Sequence, residues 1–201
     1  MQMRFCSLLF LLVFSSAICA QKKTWDPAVL EKANTAKDAA YLTSEEKAVI
    51  FYLNLVRLDP KLFGETYLKK YLDSTQDHNS YVLSLLKALP STKPMDVLLP
   101  AQDLCAFAKA HAIKSGRENK VGHDNFKERN KVIRNNYTGM AENCDYGNDK
   151  AFDIVMSLLI DEGIQSLGHR KNILNPKYKY IGTSIRPHKG YDWNCVMDFG
   201  G

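Results

Sequence analysis

The chain changes its hydrophobic period once, near its end, and that change limits the possible folds more than any other feature. From Thr43 to about Gly163 apolar residues recur three or four apart: Val49, Tyr52, Leu53 and Val56, then Leu104, Phe107, Ala108 and His111, then Phe152, Val155, Met156 and Leu159. That spacing lines one face of a helix. From Tyr180 the pattern becomes Tyr180–Ile181–Gly182–Thr183–Ser184–Ile185, a turn at His188–Lys189–Gly190, and Trp193–Asn194–Cys195–Val196–Met197–Asp198–Phe199. Alternation on both sides of a glycine-containing turn predicts a hairpin. A run of helices followed by an antiparallel pair implies an α+β domain with helices covering a sheet.

The N-terminus reads differently. Arg4 precedes the apolar run Leu8–Phe14, and Ser15 to Ala20 is mostly small. A basic start, a short apolar centre and a small residue before a polar stretch make an export leader over residues 1–20. The run is too short to span about 30 Å of hydrocarbon as a helix. Cleavage after Ala20 would leave Gln21 first. The expected location is therefore extracellular, in a periplasm or at a cell surface. Loss of Arg4 lowers the formal charge from +5 to +4. No Lys/Arg block is long enough for a nucleic-acid or membrane patch, and no later apolar stretch could form a stable span. Hydrophobic content of 45% suits one folded domain.

Residues 21–42 are polar and Ala/Lys-rich with Trp25 as the one large anchor, either a mobile lead-in or a short helix packed late. The domain proper is assigned to 43–201. Thr43–Ser44–Glu45–Glu46 fits a capping box opening the first long helix. Asp59–Pro60 ends it and opens the next, and a third helical stretch runs from about Asn79 to Leu89. Pro90, Pro94 and Pro100 bracket an extended loop, with Pro100 expected to start the following helix. Asp149 is the expected N-cap of the helix that stops at Gly163.

Chemistry-bearing motifs are few. There is no GxSxG elbow, HExxH helix, P-loop or GxGxxG. What stands out is a scattered set: His123 after a glycine, Glu142 in a loop or short strand, Asp161 and Glu162 at a helix end, and His169 in Leu167–Gly168–His169–Arg170. Two imidazoles and one or two carboxylates suit zinc or another divalent metal if the fold gathers them. Spacing alone leaves open whether they meet.

Several phrases resemble the bacterial type of CAP domain, the cysteine-rich secretory, antigen 5 and pathogenesis-related (SCP-like) group. They are Leu53–Asn54–Leu55–Val56–Arg57–Leu58–Asp59–Pro60, Gly122–His123–Asp124–Asn125–Phe126, Ala141–Glu142–Asn143–Cys144–Asp145–Tyr146–Gly147, and the longest, Leu158 to Leu174 with its Gly168–His169–Arg170–Lys171–Asn172 block. Tyr180–Ile181–Gly182 and Cys195–Val196–Met197–Asp198–Phe199 come after it in order. The resemblance implies a three-layer α-β-α sandwich with a central antiparallel sheet and an open cleft gathering two His and two acids. By position His123, Glu142 and His169 match three of these. The fourth acid lies three residues after a tryptophan in many relatives; Leu158 stands in its place here, which points to Asp161, with Glu162 as the neighbour that could substitute.

His111, on an apolar helical stripe, is read as a core histidine bonded to a carbonyl, or alternatively as a residue bordering the cleft. Asn143 is expected to bond backbone and hold Glu142, and Arg170 to support the surroundings of His169. Cys105, Cys144 and Cys195 lie beyond the leader. Two arrangements are open: a Cys144–Cys195 bridge with Cys105 free, or three buried thiols. Two functions compete. One is a binding module whose cleft takes a small molecule, lipid or peptide, with a metal shaping it. The other is a metal-dependent or His/Glu-assisted hydrolase, for which no positioned nucleophile stands out and Ser166 and Ser184 are candidates by proximity in sequence alone.

Overall fold

A computed structural model describes residues 23–201; the leader expectation over 1–20 lies outside the described residues. The lead-in is packed. Asp26 caps α1 (Pro27–Ala33) by accepting the Ala28 N–H, Trp25 donates to the Thr66 hydroxyl, and Ala33 and Ala36 are buried in the main core. The capping box forms at α2 (Ser44–Leu58): Thr43 Oγ1 accepts from Glu46 N, and Glu46 Oε2 accepts from Thr43 N. Asp59 then caps α3 (Pro60–Phe63), which runs through a π turn at Gly64–Leu68 into α4 (Lys69–Thr75). Asn79 caps α5 (Ser80–Ala88) through two backbone N–H groups.

Pro100 does not open the next helix. It is the second residue of a short strand, β1 (Leu99–Pro100), and α6 runs over Gln102–Glu118. Then come α7 (Phe126–Arg129), β2 (Met140–Tyr146), α8 (Ala151–Ile160), α9 (Gly168–Ile173), β3 (Tyr180–His188) and β4 (Asp192–Gly200). The sheet order is β1-β3-β4-β2. The hairpin of β3 and β4 forms as the alternation predicts, and β2 pairs antiparallel with β4. β1 pairs parallel with β3, so the sheet is mixed and its antiparallel part is three strands wide. Asp149 does not cap α8 either. Glu45, from the first turn of α2, accepts the free Ala151 N–H at 2.8 Å, so a carboxylate from another helix meets that end.

Successive strand residues face opposite sides of a sheet. On one side Cys144 and Val196 pack with Ala108 and Ala112 of α6. On the other, Cys195, Met197 and Phe199 join the main core with α2 and α8. Helices thus cover both faces of the sheet, which is the expected α-β-α sandwich. The same alternation rules out the Cys144–Cys195 bridge. Cys144 stands opposite Val196 and Cys195 opposite Asp145, so neighbouring register positions send the two thiols to different faces. Cys105, Cys144 and Cys195 are all free and buried.

α6 crosses β3 with backbone nearly touching backbone. A Cβ on Gly182 would overlap the Leu104 carbonyl group, and one on Gly116 would overlap the Pro187 carbonyl oxygen. The helix from Leu104 to Gly116 rises about 18 Å and the strand from Gly182 to Pro187 about 17 Å. The two elements run side by side, clamped at both ends. This fixes α6, and with it His111, against the sheet.

Candidate functional site

β2 is an edge strand, and two loops bring histidines to it from opposite sides. Gly122 takes φ +87° and turns the chain after α6, leaving His123 half exposed. Glu142, on β2, points into the α6 side and is 1% exposed at its side chain. Its Oε1 accepts from His123 Nδ1 at 3.0 Å. A carboxylate only accepts, so in the neutral ring this bond selects the tautomer with its proton on Nδ1 and the lone pair on Nε2.

His169 is held the same way. α8 ends at Asp161, a non-glycine residue in the left-handed region (φ 61°), and Leu167 adopts φ 51° just before α9. Between these two bends Asp161 turns back on α9. Its Oδ1 lies 2.7 Å from His169 Nδ1, and its Oδ2 accepts the His169 and Arg170 backbone N–H groups. Strained backbone of this kind persists where the surroundings hold it, and functional sites are where it gathers. The two imidazole centres are 6.2 Å apart. The four residues singled out in the sequence therefore meet as two His–carboxylate pairs. Glu162, the substitute fourth acid, is exposed on a neighbouring wall, and the buried Asp161 is the one paired with His169.

The supporting residues divide by face. Asn143, on the other side of β2 from Glu142, donates to the His169 carbonyl at 3.0 Å and accepts from Asn172; it holds the His169 segment rather than Glu142. Arg170 donates to the Leu159 and Ile160 carbonyls at the end of α8 and to Tyr81 O and Ser84 Oγ of α5. Burial lowers its pKa. His111 is 3% exposed, with Nε2 3.0 Å from the Gly122 carbonyl and 3.8 Å from Glu142 Oε1. Burial, outweighing the nearby Glu142, lowers its pKa and favours the neutral ring.

Two participants escaped the sequence reading. Arg129, at the end of α7, reaches both oxygens of Glu142 at 2.9 Å. Its guanidinium lies 5.2 Å from the Phe107 ring centre and 5.6 Å from that of Phe126, and its Nε donates to Asp124 O. Asp198 stands directly across from Glu142 on β4, fully buried, and neither of its oxygens has a partner. Burial first, and then the Glu142 charge, push its pKa well up. The available signal was an acid at an inward position of an apolar strand. His111, Glu142 and Cys144 bring ligand atoms within 4.8 Å of one another, close enough to hold a metal ion. Burial pushes the Cys144 thiol well up, so it carries its proton until a metal displaces it.

Two cavities flank the histidine pair. One of about 420 Å³ is lined by Tyr71, Asp145, Tyr146, Asp161, Glu162 and His169 among others. The other, of about 560 Å³, is lined by His123, Asn125, Phe126, Lys127, Glu128 and Glu142. Burial raises Asp145 from 3.8 to about 6, against hydrogen bonds from Ser157 and Asn148. The folded state holds this proton more tightly than the unfolded chain, so its stability contribution is lost as pH rises from about 4 through about 6. Asp145→Asn should remove that loss. Comparing urea unfolding at pH 5 and pH 7.5, the variant should gain about 1–2 kcal/mol on wild type at the higher pH. An equal pH slope in both proteins would contradict this.

Among solved structures, venom allergen-like protein 4 of Schistosoma mansoni is 13% identical, with a TM-score of 0.50 over 79% of this chain and 89% of that one. That likeness is one of fold. An outer surface protein from Borrelia burgdorferi is 18% identical (TM-score 0.45, 68% of this chain, 93% of that one). A cysteine-rich secretory protein from Staphylococcus aureus is 20% identical (TM-score 0.39), over 60% of this chain and 36% of its own. No curated protein sequence gives a significant match. No helix among the described residues is long and apolar enough to cross a membrane. The model of the cysteine-rich secretory protein family, CAP, matches residues 51–199, a span that holds both histidines, both carboxylates and all but the end of the last strand, and the chain belongs to that family.

Proposed function

We propose that the chain is a secreted binding module whose cleft presents His123 and His169 to a divalent metal and takes a small molecule, lipid or peptide in the cavities beside them. The observation that carries this reading is the convergence of two carboxylate-oriented imidazoles with ring centres 6.2 Å apart. Zinc binds imidazole nitrogen at about 2.0–2.1 Å, and two rings on one tetrahedral ion have centres about 5 Å apart. A small rotation of the half-exposed His123 closes the difference. The carboxylates then serve behind the rings, fixing the tautomer, and the remaining metal positions are open to ligand or water.

The hydrolase reading has less support. Glu142 is held by Arg129 and His123 and is 1% exposed, so it faces no bulk water to activate as a base. Ser166 is exposed on the loop before α9, and Ser184 is buried on β3 without a partner. Among the described residues neither hydroxyl is hydrogen-bonded to a histidine.

Calorimetry at neutral pH tests the metal. His169→Ala and His123→Ala should each remove one equivalent of zinc while shifting the metal-free thermal midpoint only slightly, because neither ring belongs to the core. Full zinc binding by both variants would refute the site. Turnover of an ester or peptide that vanishes in Glu142→Gln would instead favour the hydrolase.

A further inference from the structure

The residues behind Glu142 form a chemically distinct set. The geometry points to a second, inner metal site, in which His111, Glu142 and Cys144 bind a thiophilic divalent ion such as zinc, with the buried carboxyl of Asp198 as the neighbouring charge of the set. It shares Glu142 with the outer histidine pair but takes neither outer imidazole as a ligand. Three different donors (an imidazole nitrogen, a carboxylate oxygen and a thiol sulfur) already lie within 4.8 Å of one another, all buried. That mixture is what zinc selects and what magnesium or calcium does not.

Two independent features support an ion there. Asp198, fully buried and opposite Glu142 on the same face of the sheet, leaves both carboxyl oxygens without a partner. Buried polar atoms are ordinarily satisfied, and one left bare on both oxygens calls for an explanation. Second, His111 Nε2 and Cys144 Sγ both contact a single acceptor, the Gly122 carbonyl, at 3.0 and 3.7 Å. A metal would displace the thiol proton, while the imidazole proton moves to Nδ1 and frees Nε2 as a ligand.

The charges balance. A divalent ion with the Arg129 guanidinium carries three positive charges; Glu142, the Cys144 thiolate and ionised Asp198 carry three negative ones. Arg129, which holds Glu142 through one terminal nitrogen, is therefore no barrier to the ion.

Cobalt(II) alone, titrated into the metal-stripped full chain, tests this without any ligand. Sulfur bound to cobalt gives an intense near-ultraviolet charge-transfer band that imidazole and carboxylate do not. The wild type should show that band. Cys144→Ser should lose it and one equivalent of cobalt, while Cys105→Ser and Cys195→Ser keep both. Asp198→Asn should weaken the cobalt that gives the band at least tenfold; unchanged affinity would remove Asp198 from the set. A wild type without the band at saturating cobalt, or a band intact in Cys144→Ser, overturns the proposal, and the wild-type spectrum decides even if a variant misfolds. His169→Ala should retain the band while losing the other equivalent. If the band appears but the wild type binds one ion only, the outer site fails and the inner one stands.

Discussion

Arg57→Met is expected to destabilise the protein by about 3–5 kcal/mol, the range for removing one partner from a buried charged network. Arg57 is fully buried on α2 and spends its guanidinium entirely on backbone: Nε donates to Asp96 O at 2.8 Å, one terminal nitrogen to Ile173 O and Asn175 O, the other to Tyr178 O. Burial pulls its pKa down to about 10, so the cation is kept at neutral pH at a desolvation cost that these carbonyls offset. Methionine fills the space and satisfies none of them, leaving four acceptors bare. At this chain length the thermal midpoint should fall by about 10 °C or more. Arg57→Lys should recover little, because an ammonium cannot reach four acceptors spread over a planar fork. Ile173 closes α9, whose second residue is His169. The metal affinity of the cleft should therefore weaken with stability, unlike the effect of a surface substitution. A loss below 1 kcal/mol would show that water replaces the guanidinium.

Gly182→Ala should be as severe for a different reason. Its new methyl would meet the Leu104 and Cys105 backbone, and no rotamer moves a Cβ. Overpacking usually costs about 1–3 kcal/mol when side chains can yield. Here α6 itself must back away from β3, and the Gly116–Pro187 contact at the far end holds it in place. The expected result is loss of a cooperative thermal transition, or a loss above about 4 kcal/mol. A normal melt would mean that α6 can shift, and that His111 is not rigidly placed.

The legibility of this chain tracked the range of the interactions. Thr43 with Glu46, Asp59 with Pro60, and the alternation around His188–Lys189–Gly190 act within a few residues, and each produced the element expected from it. Interactions between distant segments were hidden. A two-residue strand has no period, so β1 read as a loop around prolines. Glu45 looked like a first-turn acid of α2 and in fact caps α8. The cysteine pairing required the parity of the β2–β4 register, which no spacing contains. Within the site, His123, Glu142, Asp161 and His169 were indicated by resemblance; their pairing into two His–carboxylate couples was not. Arg129 belongs to none of the motifs singled out, and only the fold lays it across Glu142 between two phenylalanines.

The free edge of β3 beyond β1 bears on how copies of the protein meet. The Ile185 N–H donates to Glu46 Oε1, the Arg186 guanidinium bonds both that oxygen and the Ile185 carbonyl, and residue 187 is a proline with no N–H to offer. An incoming strand finds its donors and acceptors already taken along this stretch. This edge acts as a guard against fibre growth. The glutamate that starts the first long helix also keeps copies of the molecule from zipping together.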